Sequence, residues 1–183
     1  TVNEILLSSY QIENEKDKYK KASLIYEMVE NIRATLFRQA MFAEFEKIVH
    51  EKIESGTMLS AEDLNEIYLD LNKKYFGENV EVDDKIKYEW ARIPHFYHSP
   101  FYVYQYATSY AVSSKIYKEV IELEGLERIE KVNNFIELLK SGGNADPIEQ
   151  LKKAGADLTD KSTIEAVAAK LSNLVDILEK ELN

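Results

Sequence analysis

Between Asp17 and Ser55 the chain carries neither glycine nor proline, and its apolar residues return with helical spacing. Leu24, Ile25, Met28, Val29, Ile32, Leu36, Phe37, Met41, Phe42, Phe45, Ile48 and Val49 form one long stripe. A run with this period has to bury its stripe against other helices, so the rest of the chain must supply them. The spacing predicts a long helix from Asp17 to Ser55, stopped by Gly56.

The remaining text supplies such helices. Val2, Ile5, Leu6 and Ser9/Tyr10 share a face of a first helix that turns polar by Glu13-Asn14-Glu15-Lys16-Asp17. Ser60 and Asp63 have the spacing of a capping box in its acidic variant. They open a helix through Leu64, Ile67, Leu71 and Tyr75, which Gly77 ends. Val80-Glu81-Val82-Asp83 reads as a loop, with a short strand as the alternative. Asp83 or Asp84 caps a short helix ending near Arg92, because Pro94 disfavours helical geometry at Ile93. Pro100 is predicted in the first turn of the next helix, with Ser99 as N-cap and Gly125 as the stop after Glu124. Leu126 to Lys140 form another helix, followed by the glycine-rich Ser141-Gly142-Gly143-Asn144-Ala145-Asp146. A short helix from Pro147 to Lys153 closes at Gly155. The last runs from Ser162 to Leu182 behind a Ser162–Glu165 capping box. The fold class is all-α, with no internal repeat.

At 183 residues the chain can bury one proper core, and a net charge of −10 with no basic run argues against nucleic acid and anionic membranes. There is no cysteine, which excludes disulfides and thiolate chemistry and fits the expected cytoplasmic setting. No apolar run approaches the roughly 20 residues a bilayer requires. The N-terminus has no basic n-region and no initiator Met, as in a fragment or a processed chain.

Chemistry concentrates in Ile93 to Tyr110, which holds two of the three histidines, two of the three prolines and five of the twelve tyrosines. Buried phenols and imidazoles each need a partner, so cores are rarely built this way. Phenols stay neutral near pH 7 and donate hydrogen bonds, so two or three converging on one point make a workable oxyanion hole, to which His95 adds a donor. On a helix begun at Pro100, Tyr102, Tyr106 and Ser109/Tyr110 would share one face, with Phe101 and Tyr104 elsewhere. The competing reading is an aromatic helix–helix interface with its hydroxyls satisfied by backbone. His50-Glu51-Lys52-Ile53-Glu54 ends in Glu where a zincin motif has His, and reads as solvated surface. No nucleophile elbow or P-loop is present. Gly142-Gly143 is either an ordinary interhelical turn or a loop that lets a ligand approach the backbone closely.

The run Arg92-Ile93-Pro94-His95-Phe96-Tyr97, followed by Phe101-Tyr102-Val103-Tyr104-Gln105-Tyr106-Ala107-Thr108, closely resembles the oligoendopeptidase F family. That family is the bacterial branch of the thimet-oligopeptidase-like zinc peptidases. Thr1-Val2-Asn3-Glu4, Thr35 to Glu46, Leu139 to Asn144 with Pro147-Ile148, and Leu151 to Leu158 agree in the same order, so the resemblance covers essentially the whole chain. It implies the C-terminal half of a helical clamshell with a central channel for oligopeptides. It also implies a zinc held by His-Glu-x-x-His and a Glu on the following helix, all upstream of Thr1. No metal ligand is therefore expected in this chain, which alone should be inactive and completed by the N-terminal portion of the enzyme. Carried over by position, His95, Tyr102 and Tyr106 are the expected catalytic groups, polarising the scissile carbonyl and stabilising the oxyanion. Tyr97, Tyr104, Gly142 and Gly143 are the expected peptide contacts, and Glu4 orients a zinc-bound histidine. The chain departs from the family pattern by an insertion at His98-Ser99-Pro100, and His98 carries no expected role. The alternative function is a non-catalytic helical module whose aromatic groove binds peptides.

Overall fold

The computed structural model describes residues 1–182, and among them there are helices and no strands. In chain order they are α1 (Val2–Asn14), α2 (Lys18–Ile32), a π-helical segment (Arg33–Phe37), α3 (Arg38–Glu54), α4 (Ala61–Phe76), a 3₁₀ segment (Asp84–Arg92), α5 (His95–His98), α6 (Tyr104–Glu122), α7 (Gly125–Ser141), α8 (Pro147–Lys153) and α9 (Lys161–Leu182). They divide into two compact units. One comprises Thr1–Ile32 with the chain from Thr108 onward, the other Arg33–Ala107. The long run predicted from Asp17 to Ser55 is helical over 18–54, with a π turn at its middle. Each π ring takes one extra residue, which resets the phase of the stripe. Ala22, Ile25, Met28 and Ile32 are buried before it, and Met41, Phe42, Phe45 and Glu46 after it.

In the first unit Val2, Val112, Ile116, Ala154 and Ala156 form the core, with Leu6, Phe135, Leu138 and Leu151 packed around them. The helix α9 lies along α2, buries Thr163, Ala166, Val167 and Leu174, and pairs Glu181 with Lys21 at 2.7 Å. Its Lys170 is drawn in over the Tyr117 ring, 4.0 Å from the centroid, and donates to Ser9 Oγ at 3.3 Å. Burial pushes its pKa down to about 8. The expected Ser162–Glu165 box is replaced by Asp160, whose carboxylate accepts from the Ser162 amide at 3.0 Å and its hydroxyl at 2.8 Å. A carboxylate accepts more strongly than a hydroxyl, so the helix is opened from Asp160.

The second unit is built on aromatic packing. Phe45 meets the Tyr68 ring edge-on at 5.3 Å, and the Phe96 ring lies 5.1 Å from Phe45 and 5.4 Å from Phe42. Such pairs contribute about 0.5–1.5 kcal/mol each beyond area burial. Around them Met41, Leu71, Ile93 and Val103 complete the core. Ser60 and Asp63 form the predicted reciprocal box at the start of α4, and Gly77 ends it at φ +74°. Glu89, in the 3₁₀ segment, accepts from the fully buried Tyr68 hydroxyl at 2.8 Å and from Arg38 at 2.6 Å, and is also paired with Arg92. Trp90 Nε1 donates to Asn65 Oδ1 at 2.8 Å. These bonds tie the 3₁₀ segment to α3 and α4, and so fix where the chain enters Ile93.

Gly155, after α8, adopts φ +94°, and a Cβ there would stand 2.5 Å from Glu119 Oε2. That carboxylate pairs with Lys131 at 2.9 Å and Lys115 at 3.4 Å. Gly155→Ala should therefore lower unfolding stability by about 1–2 kcal/mol from the left-handed backbone alone, more if the Glu119 pairs are broken. Urea denaturation reads this directly, and an unchanged midpoint would count against the geometry.

Candidate active-site surface

Two buried residues hold the His/Tyr stretch at its ends. Ile93 lies in extended backbone and Val103 is wholly inaccessible, both within the aromatic core. Between them the chain forms the single turn of α5, whose Phe96 faces inward onto Phe42 and Phe45. The helix expected from Pro100 does not form; α6 starts at Tyr104. The reason lies at Phe101, the one non-glycine among the described residues with positive φ, at +58°. A left-handed residue cannot continue a right-handed helix. A turn from the Ser99 carbonyl to the Tyr102 amide, at 3.2 Å, takes the place of the predicted first helical turn. Likewise Gly125, expected only as a stop, is the first residue of α7 and makes the turn from α6 in the left-handed region.

This backbone brings the three expected catalytic groups together. The His95 and Tyr102 rings are parallel within 6° with centroids 5.9 Å apart. Tyr106, on the first turn of α6, sets its ring edge-on to both, 6.4 Å from His95 and 5.6 Å from Tyr102. Tyr102 and Tyr106 remain 43% and 38% exposed, so this is no sealed helix–helix interface. Partial desolvation, and then the Tyr102 phenol beside it, raise the Tyr106 pKa above the usual tyrosine value. Its hydroxyl therefore stays protonated at neutral pH and available as a donor.

Beneath the stretch lies Glu46, which sequence reasoning missed. It is 3% exposed, one Oε accepts from the Phe101 amide at 2.9 Å, and the other has no protein partner. Burial raises its pKa, while the Phe101 hydrogen bond and the His50 and His95 imidazoles pull the other way. His50, expected on solvated surface with Glu54, lays its ring against Phe101 at 4.5 Å. The signal was present: Phe42, Phe45, Glu46 and Val49 share one helical face, and a carboxylate on an apolar stripe needs a reason.

The other expected residues are Tyr97, Tyr104, Gly142, Gly143 and Glu4. Tyr97 is exposed on α5, its hydroxyl reaching the Ala91 carbonyl at 3.4 Å. Tyr104 opens α6 with its side chain half exposed. Gly142 ends α7 at φ +58°, and a Cβ at Gly142 or Gly143 would meet nothing within 4 Å, so that loop is open. Glu4 lies on α1 with the Thr1 amino group 3.4 Å away. It lines a cavity of about 150 Å³ whose wall includes the buried Tyr110, and burial, then Glu4, push the Tyr110 pKa up to about 12. Among the described residues no three His, Asp or Glu side chains gather as a metal would require. Nor, among the described residues, is any helix long and apolar enough to cross a membrane.

The Glu46 carboxyl has a measurable signature. A raised folded pKa means that the native state binds this proton more tightly than the unfolded chain, so stability falls as pH climbs from 4.5 through the folded value. Glu46→Gln should match the parent in acid and gain on it as the pH approaches neutrality. Parallel plots of melting temperature against pH for the two proteins would contradict this assignment.

Residues 1–169 match the sequence model of Peptidase family M3. Oligopeptidase PepF of Bacillus subtilis is 41% identical over 182 residues, covering 100% of this chain and 26% of that protein. An oligoendopeptidase F homolog of Borreliella burgdorferi is 44% identical over 164 residues, covering 90% of this chain and 27% of its own length. The chain thus spans about a quarter of the length of the curated relatives it matches. The crystal structure of oligoendopeptidase-F from Enterococcus faecium superposes with a TM-score of 0.91 at 38% identity, over 99% of this chain and 34% of that one. With the family's sequence pattern running through both units and a solved member sharing the helical scaffold, the chain belongs to peptidase family M3.

Proposed function

We propose that this chain is the C-terminal helical part of the catalytic domain of a cytoplasmic, zinc-dependent oligoendopeptidase, and that it carries the side of the active site that receives the scissile carbonyl oxygen. The observation that supports this most is the mutual contact of His95, Tyr102 and Tyr106 on an accessible surface. Peptide cleavage builds negative charge on the carbonyl oxygen, and preorganised neutral donors stabilise that charge more than the ground-state carbonyl. Tyr106, held protonated, is the strongest candidate, with Tyr102 and His95 beside it. Exposed Tyr97 and Tyr104 offer aromatic faces to a peptide, and the open Gly142-Gly143 loop offers backbone. Glu4 is assigned to orienting a metal-bound histidine. The zinc ligands lie on the N-terminal portion of the same enzyme, which with this chain completes a clamshell around the peptide channel.

Two measurements test this reading. In the full-length, zinc-loaded peptidase, Tyr106→Phe should lower kcat about a hundredfold while KM moves little, the usual consequence of losing one oxyanion donor. A native kcat would remove Tyr106 from the reaction and favour a peptide-binding module. The 183-residue chain by itself should neither retain stoichiometric zinc nor cleave a quenched fluorescent peptide. Chelator-sensitive cleavage by that chain would overturn the division of labour.

A further inference from the structure

We propose that Glu46 is a positioning residue for the carbonyl-binding surface: its buried carboxylate clamps the Phe101 amide and thereby holds Tyr102 and Tyr106 in register with His95. The inference rests on the proposed role of those three side chains, but the clamp itself is geometric. Phe101 is held at φ +58°, a conformation that costs an ordinary residue about 1–2 kcal/mol. A hydrogen bond to a charged acceptor contributes about 1.5–3 kcal/mol, enough to offset that cost. Of the core residues on its helical face, Glu46 alone is ionisable, with Met41, Phe42 and Phe45 buried around it. A carboxylate whose second oxygen has no protein partner is a poor way to stabilise a core. Its placement is explained by what its first oxygen holds, since the residue after Phe101 is Tyr102 and the next is the buried Val103. Val103 fixes the depth of the strand of chain and Glu46 fixes its twist. Released from Glu46, Phe101 would relax toward negative φ, and the Tyr102 ring would swing off the His95 ring. His50, on the same helix, packs its ring against the Phe101 side chain.

The test uses the full-length, zinc-loaded peptidase with two neutral replacements of similar volume. Glu46→Gln keeps an acceptor for the Phe101 amide, whereas Glu46→Met fills the same space without one. Both avoid leaving an unpaired charge in the core, so folding is not the variable. Glu46→Gln should stay within a few-fold of the parent kcat, while Glu46→Met should lose about ten- to hundredfold, the scale expected when a reacting group is misplaced by an ångström. KM and zinc content should be unchanged in both. Hydrogen exchange of the peptide spanning Ser99 to Val103 should accelerate in Glu46→Met and stay at the parent rate in Glu46→Gln. A Glu46→Met enzyme with parent kcat and parent exchange would overturn the proposal, as would equal losses in both variants. If exchange accelerates in Glu46→Met while Tyr106→Phe leaves kcat intact, the clamp stands and it is the carbonyl-binding reading that fails.

Discussion

The amide of Phe101 donates to a carboxylate that α3 keeps out of water, and that bond holds the backbone immediately before Tyr102. Without it, nothing in the local sequence would choose a left-handed residue over one more helical turn. Ser99-Pro100 is a sound helix start by local rules, and the bond to Glu46 overrides it from 55 residues away. The outcome is a short reverse turn that lifts Tyr102 beside His95 rather than carrying it round a helix. Tyr102 then meets both the His95 ring and the Tyr106 ring.

The same helix supports this arrangement from two sides. Its aromatic residues Phe42 and Phe45 grip Phe96, the residue next to His95, while Glu46 grips the backbone next to Tyr102. Adjacent positions on one helix thus locate both partners of the stacked pair. The 3₁₀ segment sets the approach, because Glu89 ties it to Tyr68 and Arg38 just before the chain reaches Ile93. Burial of Glu89 favours its protonated form, but Arg38 and Tyr68 outweigh this and hold its carboxyl below the usual glutamate range. Two glutamates in one unit, Glu46 buried and Glu89 partly so, are therefore shifted in opposite senses. The difference is partners: Glu89 has a guanidinium and a phenol, whereas Glu46 has a single amide.

Much of this was legible in the sequence, and the rest was not for identifiable reasons. Helix ends governed by local chemistry could be read directly, as at Ser60–Asp63, Gly77 and Pro147, because a cap is satisfied within a few residues. The resemblance singled out His95, Tyr102 and Tyr106 as expected catalytic groups. Their mutual geometry did not follow from it, since it depends on a contact with α3. The π turn at Arg33–Phe37 was invisible because hydrophobic spacing alone cannot distinguish a helix with one extra residue from a slightly irregular stripe. At α9 the Ser162–Glu165 spacing was genuine, but Asp160 two residues earlier competed for the same amide.

The π turn also determines where this chain can change length. A helix advances about 100° per residue, so removing one residue from Arg33–Phe37 would restore α-helical bonding and swing every later side chain of α3 by that angle. Phe42, Phe45 and Glu46 would then change phase against the buried stripe of Ile25, Met28 and Ile32, whereas their contacts with Phe96 and Phe101, made within Arg33–Ala107, would turn with them. The loop at Gly142-Gly143 is the opposite case, since open space surrounds its Cβ positions and added residues displace nothing. Chain length is therefore more freely changed after α7 than at the π turn, where a single residue resets the buried stripe.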